Sequence, residues 1–234
     1  MFVLFTLNGQ FLKKISTSRH GYFSSPKIDS RGNFYASIIY IQKKPINELK
    51  KFNSQLEPLF TIATIDLTEK LKVYNPFFPK FYWAIRKEDN LIWGISSEYE
   101  LKIFDYKGKL IKKIIKNYRP IKITEKEKRE IIRQKFGSKG PPDRKVKFPK
   151  YYPPFMNLSV DEKGRIFLGT YEKVKGKKGF YYYDVFDSEG KYIAKVPIKA
   201  GPNSFLIWKN AKLYIIDETE EGFPIIKRYK VIWY

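Results

Sequence analysis

Along Leu158–Val196, apolar residues come in short runs separated by polar turns that end in glycine. Leu158–Val160 runs into Asp161-Glu162-Lys163-Gly164, and Arg165–Tyr171 carries Ile166, Phe167, Leu168, Thr170 and Tyr171. A basic loop leads to Phe180–Phe186, and Asp187-Ser188-Glu189-Gly190 leads to Lys191–Val196. Glycine reaches the positive φ that a tight hairpin turn needs, and aromatic and β-branched residues suit half-buried pleated strands. The pattern predicts a four-stranded antiparallel sheet. Such a sheet cannot bury both faces alone, so copies of it decide the fold.

Copies are present. The second turn and its strands recur at Phe104–Ile114 and Phe5–Ile15, and without the glycine at Phe52–Ile62. The first turn recurs at Ile28–Tyr35, Arg86–Trp93 and Trp208–Ile215. Four-stranded units of about 40–50 residues predict an all-β fold of the β-propeller class. Residues 1–234 read as one domain. Its blades fall at about 2–15 (two outer strands only), 26–62, 81–115, 155–196 and 203–233 (three strands), with Ala63–Lys80 a connector. An insertion at 116–153 interrupts the repeat. Within it, Thr124-Glu125-Lys126-Glu127 fits a capping box and predicts a helix over 124–136, ended by Gly137, Gly140, Pro141 and Pro142.

The motifs DSRGNFYAS, FDYKGKLIKKI, YRPIKITEKEKREII, PPFMNLSVDEKGRIFLGTY, YYYDVFDSEGKYIAKV and FPIIKRYKV give the chain a family likeness. It resembles the bacterial six-bladed β-propeller family related to NHL and TolB-type propellers, best from about Phe81 onward. The resemblance implies a six-bladed ring of which this chain is an incomplete arc, with open blade edges through which it self-associates. It also implies an extracytoplasmic binding module. The sequence itself shows no signal peptide and no apolar run long enough to span a membrane.

Composition narrows the chemistry. The chain lacks cysteine, which excludes disulfides, thiol nucleophiles and cysteine metal sites, and its single histidine, His20, excludes a multi-histidine zinc site. With no Gly-x-Ser-x-Gly elbow, Ser24-Ser25 near His20 reads as loop. The turn acids Asp29, Asp89, Asp105, Asp161 and Asp187 read as backbone-capping residues rather than calcium ligands. No catalytic residue, metal or cofactor is expected.

Net charge is +22, from 46 Lys and Arg against 24 Asp and Glu. Compositional bias produces such an excess, and so does selection for an anionic partner. The 116–150 stretch holds 13 basic and four acidic residues. Its ligand-binding candidates are Arg119, Arg144, Lys145, Lys147 and Lys150, with Tyr151 and Tyr152 offering ring faces. A second basic loop holds Lys173, Lys175, Lys177 and Lys178; its Gly176-Lys177-Lys178-Gly179 is a hairpin tip rather than the inter-helix GXXG of KH domains. The reading is a non-enzymatic module for a peptide, glycan or other anionic ligand, or a protein partner. Single-stranded nucleic acid binding and a carboxylate hydrolase or lyase are the alternatives.

Overall fold

The computed structural model describes residues 1–6, 8–17, 21–41, 44–137, 140, 145–219 and 222–233. The chain divides into two compact units, Met1–Phe81 with Ile131–Phe148, and Tyr82–Glu130 with Pro149–Tyr234. The fold is all-β, of the propeller class, built from antiparallel blade-like sheets with one long helical insertion.

In the first unit, β1 (Phe2–Phe5) and β2 (Phe11–Ile15) form a hairpin. Strands β3 (Tyr22–Ile28), β4 (Phe34–Tyr40), β5 (Ile46–Phe52) and β6 (Pro58–Asp66) form a sheet in that order. Phe2, Leu4 and Ile15 of the hairpin pack on Phe34, Ala36, Ile38, Phe52 and Leu56. The expected connector is partly structured: helix α1 (Thr68–Lys72) leads into β7 (Val73–Tyr74).

The second unit repeats the sheet. Strands β8 (Phe81–Ile85), β9 (Leu91–Ile95), β10 (Glu100–Phe104) and β11 (Leu110–Ile115) form one four-stranded sheet. After it come helix α2 (Glu125–Phe136) and β12 (Lys145–Val146); β12 belongs, like β7, to the first unit, and the two pair parallel there. The next four-stranded sheet is β13 (Asn157–Val160), β14 (Ile166–Lys173), β15 (Tyr181–Phe186) and β16 (Tyr192–Ile198). The last has three strands, β17 (Phe205–Lys209), β18 (Lys212–Glu218) and β19 (Pro224–Lys230).

These three sheets stack face on face. Strand β14 is apolar on both sides because it is covered on both. Ile166 and Leu168 pack with Ile92, Leu101, Ile103 and Phe155, toward the β8–β11 sheet. Phe167, between them in sequence, faces the other way and packs with Leu213, Ile215 and Trp208 of the last sheet. Its ring stacks on Trp208 at 4.1 Å.

The turns explain the repeated acids. Asp29, Asp105, Asp161 and Asp187 each accept, through Oδ1, the backbone N–H groups two and four residues on. Asn53 does the same in the copy without glycine. There Leu56 takes the glycine's place at φ +65 and is buried, so core burial outweighs left-handed strain. The turns at Glu88-Asp89 and Asn210-Ala211 are of another type: both residues of each pair have positive φ, so they are not copies of the Asp-to-Gly turn.

Candidate functional site

The basic insertion enters the second unit as a short ladder. Lys122 bridges antiparallel to Tyr151, the Ile123 N–H donates to the Lys150 carbonyl at 3.1 Å, and the Tyr152 N–H donates to the Ile121 carbonyl at 2.9 Å. The ladder leaves Arg119, Lys122, Lys150 and Tyr151 exposed, and Lys150 Nζ lies 5.3 Å over the Tyr151 ring. Among the described residues Arg119, Lys122 and Lys150 form no ion pair; the Glu125 carboxyl is lowered chiefly by Lys128, with Arg129 and Lys122 adding to it.

Tyr152 does not offer a ring face. It is buried, stacked on Tyr171 at 4.6 Å, and its phenol is pushed up by burial and by the Glu127 carboxylate. Lys173 is not a free cation of the hairpin tip, since it donates to Glu127 at 2.6 Å. Lys175, Lys177 and Lys178 are exposed, with Lys177 over the Phe180 ring at 5.7 Å. Lys145 and Lys147 are exposed in the first unit, where the Lys147 N–H donates to the Tyr74 carbonyl. Arg144 and His20 lie outside the described residues. Ser24 and Ser25 occupy a bulge of β3.

The predicted capping box is formed. Thr124 N–H and Oγ1 both donate to Glu127 Oε2, and the Glu127 N–H returns to Thr124 Oγ1 at 3.3 Å. Burial alone would raise the Glu127 carboxyl, but hydrogen bonds from Lys173 and Thr124 outweigh it and hold the pKa at about 2, against an ordinary 4.5. A depressed carboxylate stabilises the fold above its unfolded pKa, and that contribution disappears as pH falls through the folded value. Glu127→Gln should therefore flatten the loss of stability between pH 4.5 and pH 2. Denaturant melts of both proteins across that window test this, and parallel curves would remove Glu127 from the acid transition.

Beside the ladder, Glu98, Tyr99, Glu100, Ile115, Lys116, Asn117 and Tyr118 line an open depression of about 480 Å³. Under it lies a network that sequence reasoning missed. Asp184 is buried, and its Oδ2 accepts Lys116 Nζ at 2.7 Å and the Tyr99 hydroxyl. Lys116 Nζ sits 4.6 Å over the Tyr192 ring. Burial first, then the Asp184 charge, pushes the Tyr99 phenol far up, and burial raises Tyr192 as well. Both phenols stay protonated at neutral pH, and the Tyr99 hydroxyl donates to the carboxylate. The network is thus a neutralised lock joining β9–β11 to β15 and β16, and it withdraws Lys116 from the free basic surface. Glu100 is likewise engaged, by Lys102 and Lys113, while Glu98 is exposed.

Among the described residues no His, Cys, Asp and Glu side chains cluster as a metal site, and no helix is long and apolar enough to cross a membrane.

No family model matches the chain, and no curated protein matches it. Similar solved structures include a luciferin-regenerating enzyme, at 12% identity and TM-score 0.41, covering 91% of this chain and 62% of that one. A member of the DUF4221 family from Bacteroides vulgatus matches at 13% identity and TM-score 0.44, covering 95% and 71%. Virginiamycin B lyase from Staphylococcus aureus matches at 9% identity and TM-score 0.41, covering 98% and 76%. Their folds are propeller-like. At this distance they carry no argument about chemistry. The chain spans less than two thirds of the length of the luciferin-regenerating enzyme.

Proposed function

We propose that this chain is a non-enzymatic binding module, part of a six-bladed NHL-like propeller, that captures an anionic ligand on the surface built by residues 116–123 and 150–152. The observation carrying this reading is the Lys122–Tyr151 bridge. It sets Lys122 beside Tyr151, whose exposed ring lies under Lys150 Nζ at 5.3 Å; Arg119 is exposed three residues before Lys122, and none of the three cations forms an ion pair among the described residues. Charge capture by three cations leaves a signature in salt. Each neutralised charge of a single-stranded polyanion contributes about 0.7 to the slope of log affinity against log salt. Three contacts predict a fall of roughly 20-fold between about 50 and 200 mM salt.

The test titrates a heparin oligosaccharide, an acidic peptide and a short oligouridine at both salt levels. Wild type is compared with the triple variant Arg119→Ala, Lys122→Ala, Lys150→Ala. The variant should bind the preferred anion at least about tenfold more weakly, which is roughly 1.4 kcal/mol. Equal affinity at the two salts, or an unaffected triple variant, overturns the reading. Oligouridine outbinding the other two anions assigns the site to single-stranded nucleic acid, with Tyr151 as the stacking platform.

A further inference from the structure

The last sheet has three strands among the described residues, one fewer than its four-stranded neighbours. In each four-stranded sheet the third strand, β5, β10 or β15, is covered by an antiparallel fourth, β6, β11 or β16. The corresponding strand of the last sheet, β19, pairs with β18 on one side, and among the described residues no strand pairs with its other side. A row of backbone donors and acceptors is therefore left unpaired by any strand among the described residues.

The side chains bordering that edge specify what fits. Register places Phe205, Ile216 and Ile226 in one cross-strand row, Ile207, Tyr214 and Arg228 in the next, and Lys209, Lys212 and Lys230 in the third. All lie on the face opposite Leu213 and Ile215, which pack against the neighbouring sheet. Phe205, Ile207 and Ile226 are 66%, 49% and 69% exposed, so no other sheet of the second unit covers this face among the described residues. Its charge is one-sided. Lys209 pairs with Glu162 at 3.9 Å, whereas Lys212, Arg228 and Lys230 form no ion pair among the described residues; Glu218 stands at the apolar end. Lys227 points to the other face and is held by Asp217 at 3.0 Å.

We propose that β19 is a docking edge for an extended, acidic segment of a partner protein, which adds antiparallel as the missing fourth strand. Read from its N-terminus, the segment carries acid-x-acid-x-apolar. The two acids lie beside Lys230 and Arg228, and the apolar residue beside Ile226. Backbone pairing supplies the binding and alternate side chains supply the selection. The same cations argue against a second copy as the occupant. Edge-to-edge pairing of two β19 strands would bring like charges together, on a chain that already carries +22.

The experiment uses the full chain and a capped peptide, Glu-Thr-Glu-Thr-Ile-Thr, with two controls: the same peptide with Lys for Glu, and one N-methylated at alternate amides. Binding is read by fluorescence anisotropy, its location by amide hydrogen exchange, and association by sedimentation. The acidic peptide should bind saturably and slow exchange along 224–230. Both controls should bind at least about tenfold more weakly. The variant Arg228→Glu, Lys230→Glu should lose the acidic peptide and gain the lysine one, and its exposed positions should leave folding intact. The triple variant at Arg119, Lys122 and Lys150 should bind the peptide as wild type does, which separates this surface from the anion site above. No saturable binding, equal binding of the N-methylated peptide, or protection of β19 by dimerisation alone overturns the proposal.

Discussion

Asp29→Ala should lower stability by about 3–5 kcal/mol, the cost of breaking a buried ion pair. Asp29 and Lys51 side chains are 0% and 3% exposed, and their charges are 3.3 Å apart. Lys51 also lies 4.9 Å from the centre of the Tyr35 ring. The Asp29 carboxylate additionally caps its own turn through Arg31 N–H, Asn33 N–H and Asn33 Nδ2. Alanine thus removes the cap and strips a buried ammonium of its carboxylate at once. Asp105 separates the two terms, since it makes the same backbone bonds in an unburied turn. Asp105→Ala should cost only about 1 kcal/mol, the usual value of a lost cap. The double variant Asp29→Asn, Lys51→Met should recover most of the loss, because it removes both charges of the buried pair together. Urea denaturation of the four proteins decides the matter. Equal losses for Asp29→Ala and Asp105→Ala would reduce the ion pair to no net contribution.

Phe155→Ala should be comparably damaging, at about 3–5 kcal/mol. Phe155 is fully buried where the β8–β11 and β13–β16 sheets meet, with Tyr82 at 5.6 Å and Tyr99 at 6.4 Å between ring centroids. Gly94 makes room for it, since a Cβ there would come within 3.2 Å of the Phe155 ring and 2.7 Å of the Glu100 carbonyl. Deleting the ring leaves a cavity that two stacked sheets cannot collapse without breaking their registers. It also frees Tyr99 from one side, so the Asp184 lock should loosen with it. Phe155→Leu should lose less than half as much, because most of the volume is kept. A Phe155→Ala loss below about 1.5 kcal/mol would mean that the sheets reseat, and the stacking described here would not be rigid.

Some of this molecule can be read directly from neighbouring residues. The Asp-to-Gly turns at 29–32, 105–108, 161–164 and 187–190 form as their residues require, because the capping carboxylate and the backbone it holds lie within four residues. The Thr124–Glu127 box starts α2 for the same reason. The turn without glycine at Leu56 is different. Only contact with Phe34, Ala36, Ile38 and Phe52 justifies a leucine at positive φ. The surface proposed for an anion joins local and distant residues. Lys150 and Tyr151 meet as neighbours, whereas Lys122 joins them through a bridge that no local pattern announces.

Strand pattern, turn chemistry, helix start and the excess of positive charge belong to the sequence alone, since each depends on groups a few bonds apart or on simple counting. Which cations remain free belongs to the tertiary structure. Lys51 is spent on Asp29, Lys116 on Asp184 68 residues away, and Lys173 on Glu127 46 residues away. Those partners are chosen by the stacking and register of whole sheets, and a charge is available to a ligand only after that packing has taken its share.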